Sequence, residues 1–231
     1  MNAQGTDAWF TDRLGIPTAS MYSALMAKGE GKTRKAYMIK LAAERLTGKR
    51  AESFSNGHTD RGTEQEPYAR MSYESLTGNV VQEVGFIRHP TLMTGSSPDG
   101  LIDLDGGVEI KSVIPTVQIE TILKGGYPTG HKAQIQGNLW NAERGWWDFV
   151  SYSPDMPQGL DTYIFRVVRD EAYIKELEAE VIRFLAELDA MLAKLTFRAR
   201  SISNCGIERQ KVTWYWQAFY ALSRDARKAA R

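Results

Sequence analysis

Three side chains in one short stretch have the types and spacing for hydrolytic chemistry. In SSPDGLIDLDGGVEIKS, residues 96–112, Asp99 is followed by a glycine-containing turn and then by Glu109 and Lys111, two positions apart. Side chains alternate between faces along a strand, so Glu109 and Lys111 share one face while Val108 and Ile110 share the other. Asp105-Gly106-Gly107, set between two short apolar-alternating runs, predicts a β-hairpin that folds this face back toward Asp99. Two carboxylates can hold a hard cation such as Mg²⁺ through oxygen and leave room for waters and a phosphate. The cation lowers the pKa of water and neutralises charge on a phosphoryl oxygen. A neighbouring lysine can orient or help deprotonate that water and stabilise a pentavalent transition state. The reaction such a set serves is phosphodiester hydrolysis. An ordinary hairpin with solvated Glu109 and Lys111 satisfies the same residues, because patterns this short recur by chance.

The elements that must position this set are legible from periodicity and punctuation. Thr18 is placed to cap a short helix, TASMYSALMA, ending in the glycine-rich KGEGK loop. Thr33 is placed to cap the next, RKAYMIKLAAERLTG, with Tyr37, Ile39, Leu41, Ala42 and Leu46 at roughly helical spacing and Gly48 as its stop. A third helix fits 60–77 before Gly78, with Pro67 marking a first turn or a kink. Residues 80–113 read as β: VVQEVGFIRH, the stretch from Met93 to Gly95, LIDL and VEIKSV. Helices follow at about 116–124 and 129–142, then the strands WDFVSYS and TYIFRVVR. A long amphipathic helix covers about 170–196, and TWYWQAFYALSRDARKAAR reads as a closing helix. The expected class is a mixed α/β (α+β) fold, a central mixed β-sheet flanked by helices. With no repeat or low-complexity linker, residues 1–231 read as a single domain. It has a helical part over about 1–78, a catalytic sheet core over about 79–170 and C-terminal helices over about 170–231.

Composition sets bounds. Hydrophobic residues make up 42% and charged residues 25%, the balance of an ordinary soluble globular protein. No apolar run reaches the length of a membrane span, and MNAQGTDAWF lacks the basic and apolar regions of a secretory signal. The one cysteine, Cys205, excludes a disulfide framework and makes a reducing cytoplasm the expected home. His58, His89 and His131 lack zinc-ligand spacing. Net charge is only +1, yet residues 28–50 carry eight lysines and arginines against two glutamates. Such a patch can track phosphates; it can equally be a solvated helix face.

Taken in order, DAWFTDRLGIPTAS, RGTEQEPYAR, SSPDG with VEIK, and AQIQGNLW resemble lambda exonuclease and its relatives, the YqaJ-type viral recombinases, within the restriction-endonuclease-like PD-(D/E)xK superfamily. The resemblance spans roughly residues 7–190. It implies a restriction-endonuclease-like core in which Asp99, Glu109 and the backbone carbonyl of Ile110 hold metal, Lys111 is the catalytic lysine, and Glu66 completes the acidic cluster. It implies that Arg13, Ser20, Ser97 and Gln134 grip a terminal 5′-phosphate and that Trp9 lies near the DNA entrance. The family's minor-groove arginine maps to the loop AKGEGKTRK, where Lys28, Lys32 and Arg34 all remain candidates. Each of these residues also has an ordinary structural use, such as a salt bridge for Arg13, a buried amide for Gln134 or a core aromatic for Trp9. The tryptophans at 140, 146, 147, 214 and 216 are expected in core or subunit packing.

The activity so implied is a Mg²⁺-dependent, ATP-independent 5′→3′ exonuclease. It would degrade one strand of linear double-stranded DNA with 5′-phosphorylated ends and leave 3′ overhangs for recombination. Two Mg²⁺ ions per site are expected, with Mn²⁺ as a substitute. The implied setting is a homotrimeric ring, a single-strand annealing partner, no membrane, and the cytoplasm of a bacterial host, with a phage or prophage origin. Two rival readings use the same residues: a structure-specific or restriction-type endonuclease, and a non-catalytic DNA-binding module.

Overall fold

Strand β5, Gly106–Ser112, is the axis of the molecule. In this computed structural model, which describes residues 2–27, 31–51 and 57–203, β5 is flanked by β4 (Gly100–Ile102, antiparallel) and β6 (Trp146–Tyr152, parallel). Strand β1 (Val81–Gln82) pairs antiparallel with β4, and β7 (Thr162–Val168) pairs antiparallel with β6, giving the order β1-β4-β5-β6-β7. A parallel neighbour needs a crossover. Helices α5 (Pro115–Lys124) and α6 (Lys132–Asn141) lie in the segment that makes it. A separate two-stranded piece pairs β2 (Ile87–Arg88) with β3 (Gly95–Ser96).

The two faces of β5 bury against different helices. Val108 and Ile110 pack with Val150 under Ala69 and Tyr73 of α4 (Gly57–Thr77). On the opposite face, Trp147 and Phe149 of β6 pack with Ile135 and Leu139 of α6. This is the face that carries Glu109. The other side of α6 meets a helical layer formed by α2 (Tyr22–Met26), α3 (Lys32–Thr47) and α7 (Glu171–Ser203). In α7, Ile174, Leu177, Val181, Phe184, Leu188 and Leu192 form the three- and four-residue stripe that buries an amphipathic helix.

Several sequence expectations move. The hairpin turn is Asp103-Leu104-Asp105, with Asp103 at φ 45°, not Asp105-Gly106-Gly107. The two glycines lie inside β5 because indole rings cover them: a Cβ on Gly107 would sit 2.3 Å from the Trp147 ring. Thr33 lies within α3, whose N-cap is Gly31, while Gly48 closes the helix in the left-handed region at φ 65° as expected. Ile39 and Leu46 of α3 face solvent, so its apolar stripe is narrower than the spacing suggested. The stretch 80–96 breaks into three two-residue strands, and a short helix not foreseen, α1 (Asp7–Asp12), opens on the Thr6 cap. The segment expected as one helix over 129–142 begins with a 3-10 turn, Thr129–His131. Trp140 and Trp147 are buried as expected, and Trp146 packs at the edge of the α4-side core. Lys28, Cys205, Trp214, Trp216 and the expected closing helix lie outside the described residues. Among the described residues, no helix is long and apolar enough to cross a membrane.

Candidate active site

The strand pattern delivers the catalytic set to one place. Lys111 Nζ donates to Glu109 Oε1 at 2.5 Å, so the two side chains share a face. Asp99, just before β4, accepts a 2.6 Å hydrogen bond from the N–H of Ile110 and thereby sits beside β5. Glu109 is almost fully buried, at 1% exposure. Burial pushes the Asp99 carboxyl well above the usual aspartate range, and the nearby Glu109 pushes it further. For Lys111, burial pulls downward, but the charges of Glu109 and Asp99 outweigh it and hold the ammonium above its ordinary value.

Glu66 comes from α4 and pairs with Arg70 at 2.8 Å, while Arg70 also reaches Glu83. Burial raises the Glu66 pKa, Arg70 opposes the rise, and Glu83 and Glu109 add to it. Glu66 is thus in electrostatic reach of the site while holding a partner of its own.

Among the described residues, no group of three or more His, Cys, Asp and Glu side chains has a metal-holding arrangement. The donor set nonetheless suits a hard cation. Glu109 and Glu66 both disfavour charge on Asp99, Glu109 disfavours it on Glu66, and a divalent ion beside them would reverse that cost. His89 and His131 stack instead on Trp140 and Phe149.

Next to this set lies a cavity of about 150 Å³ bordered by Trp9, Arg13, Ser20, Ser97, Gln134 and Asn138. The chain that carries Arg13 and Ser20 is stapled in place. Glu44 of α3 accepts from Gly15 N–H at 2.9 Å, and Arg45 donates to the Gly15 carbonyl at 2.8 Å. Pro17 accepts from Gly95 N–H at 3.2 Å and from Thr94 Oγ1 at 2.8 Å, which brings Ser20 to the strand end where Ser97 begins. The Trp9 indole donates to Ser97 Oγ at 3.1 Å, and the Arg13 guanidinium lies over the Trp9 ring, 4.2 Å from its centroid. Burial lowers the Arg13 pKa. Among the described residues, the Arg13 guanidinium makes no hydrogen bond or ion pair.

The four residues assigned by resemblance to the 5′-phosphate, and Trp9, assigned to the DNA entrance, therefore border one cavity. Gln134 differs in one respect: its amide donates to Glu109 Oε1 at 2.5 Å, so it joins the cavity to the carboxylate. Asn138, which sequence reasoning missed, donates to Glu109 Oε2 at 2.8 Å. Its spacing of four from Gln134 was the available signal.

Of the loop cations, Arg34 is corrected. It is 8% exposed and gives both guanidinium ends to Glu187 of α7, at 2.6 and 3.0 Å, so it ties α3 to α7 rather than reaching outward. Lys32 is exposed in the first turn of α3. Elsewhere in the basic stretch, Arg45 is paired with Asp189 at 3.0 Å and Arg50 lies over the Phe10 ring.

A mixed five-stranded sheet between α4 and α6, with Glu109 and Lys111 on β5 and Asp99 just before β4, defines a nuclease of restriction-endonuclease-like fold. The family model for the YqaJ-like viral recombinase domain matches residues 8–145, and the chain belongs to that family. It is similar to the alkaline exonuclease LHK-Exo from Laribacter hongkongensis, with 40% identity and a TM-score of 0.80 over 85% of this chain and 100% of that one. LHK-Exo in complex with dAMP gives 41% identity, a TM-score of 0.81 and the same coverage. A phage-related exonuclease from Haemophilus somnus 129PT, 14% identical with a TM-score of 0.62 over 78% of this chain and 96% of its own, shares the fold. No curated protein sequence matches the chain.

Proposed function

We propose that this chain is a Mg²⁺-dependent, ATP-independent 5′→3′ exonuclease that digests one strand of linear duplex DNA and leaves 3′ overhangs for recombination. One observation carries the reading. A half-buried guanidinium, stacked on Trp9 and without a hydrogen-bonding partner among the described residues, borders a small cavity of about 150 Å³ whose Gln134 is hydrogen-bonded to Glu109. Such a cavity suits a terminal phosphate.

In this reading Asp99, Glu109 and the Ile110 carbonyl hold the cation, which supplies an activated water and neutralises phosphoryl charge. Lys111 stands beside Glu109 to orient the attacking water and balance charge in the transition state. Arg13, with donors from Ser20, Ser97 and Gln134, grips the 5′-phosphate that every cut regenerates. That grip places the next scissile bond at the carboxylates. A homotrimeric ring, which could not leave DNA sideways, and a single-strand annealing partner belong to the same proposal, as does a cytoplasmic setting.

The test compares linear and closed circular duplexes in Mg²⁺ and in EDTA. The expected result is Mg²⁺-dependent loss of the linear form alone. Cleavage of the closed circle would replace this reading with an endonuclease, and no cleavage in Mg²⁺ would leave a binding module.

A further inference from the structure

Both oxygens of Glu109 are held by amides from one helix. Gln134 donates to Oε1 at 2.5 Å, and Asn138 donates to Oε2 at 2.8 Å. The two residues stand four apart and so share one face of α6. The helix is itself fixed from behind. A Cβ on Gly137 would lie 2.4 Å from the Tyr22 ring, so only glycine allows that approach. Asn141 donates to Tyr22 Oη at 3.1 Å, and Gln136 both donates to the Val168 carbonyl at 2.9 Å and accepts from Asp170 N–H at 2.9 Å.

Asn138 is 1% exposed. Packing alone would favour an apolar side chain there, because asparagine is a mediocre helix former and its amide is costly to bury. The cost is offset by the bond to a carboxylate oxygen, and charge-assisted bonds are the stronger kind. Lys111 and Gln134 both crowd Oε1, so without Asn138 the carboxylate could turn about its last torsion. That torsion is soft.

We propose that Asn138 is a positioning residue that fixes the plane of the Glu109 carboxylate and so sets the affinity of the site for its divalent cation. This rests on the reading of Asp99 and Glu109 as the cation's ligands. Outer partners of ligating groups commonly change metal affinity by about 10–100-fold when removed. Asn138 also borders the Arg13 cavity, so one residue walls the phosphate side and orients the metal side.

The test titrates the full chain with Mn²⁺ without DNA, following loss of the free-ion EPR signal, in wild type, Asn138→Leu and Asn138→Ser. Leucine keeps the heavy-atom count and branching of asparagine without its polar atoms. Serine keeps a small polar group too short to reach Glu109, and serves if the leucine variant does not fold. The expected result is Mn²⁺ affinity weakened about 10–100-fold in each folded variant. A purely structural role would lower the melting temperature and leave Mn²⁺ affinity untouched, and that result in either variant overturns the inference. A wild type that binds no Mn²⁺ overturns the metal reading and this inference with it. Tight binding by wild type and variants alike overturns the inference alone.

Discussion

Replacing Arg13 by alanine should remove the enzyme's preference for a 5′-phosphorylated end. The guanidinium is half-buried on the Trp9 ring and makes no hydrogen bond to the protein among the described residues, so its donors are available to a ligand. A phosphate gripped by the planar fork gains two charge-assisted bonds of about 1.5–3 kcal/mol each. Partial exposure puts both at the low end, near 3 kcal/mol together, and each 1.36 kcal/mol is tenfold in rate, so the effect is roughly 150-fold. The assay is single-turnover digestion of two duplexes that differ only in a 5′-phosphate or a 5′-hydroxyl. Wild type should favour the phosphorylated end by about that factor, and Arg13→Ala should digest both at the slower rate. Arg13→Lys keeps charge without the fork and should fall between. Loss of the stacked cation costs about 0.5–1 kcal/mol of stability, too little to unfold the chain. If wild type shows no preference, or Arg13→Ala keeps it in full, the cavity is not the phosphate site.

Asp99 carries a pH prediction. Burial first, then Glu109, raises its folded pKa above the unfolded value. Its stabilising contribution is therefore present at low pH and lost as pH rises through the folded pKa. In EDTA, from the ordinary aspartate range near about pH 4 upward, wild type should lose stability with rising pH, and Asp99→Asn should lose less. Mg²⁺ should raise the melting temperature of wild type much more than that of the variant, which should bind DNA yet not cut it; a variant with full Mg²⁺-dependent cleavage refutes the assignment. Lys111→Ala should lower turnover far more than DNA affinity, and normal turnover at saturating metal would make Lys111 structural. Arg34→Ala should lower the melting temperature by a few degrees, about 1–2 kcal/mol in a chain of this size, with an unchanged salt dependence of DNA binding. Lys32→Glu should do the reverse, flattening the salt slope by about one counterion, and an unchanged slope would assign Lys32 to solubility.

What the sequence made legible was whatever depends on local period and punctuation. Glu109 and Lys111 share a face because strand alternation leaves no choice, and Gly48 and Gly78 end α3 and α4 with positive φ. Asp105-Gly106-Gly107 misled because the glycines answer to Trp146 and Trp147, some 40 residues away, and not to the turn. Arg34 misled for a similar reason. A lysine- and arginine-rich stretch looks the same whether a cation is solvated or paired with a glutamate of α7. Asn138 was overlooked because its role exists only once the crossover has laid α6 across β5. The family resemblance, by contrast, named five of the residues around the Arg13 cavity, Trp9, Arg13, Ser20, Ser97 and Gln134, a grouping that no local pattern could supply.

The central claim is a direction of travel set by a terminal phosphate. The most direct measurement uses a blunt linear duplex with a 5′-phosphate on one strand only, that strand labelled near both termini, digested in Mg²⁺. The account predicts that mononucleotides bearing the 5′ label appear first, that the 3′ label is released last, and that the complementary strand survives as a single strand with a free 3′ end. Early release of the 3′ label, or equal digestion of the strand lacking the phosphate, would contradict it.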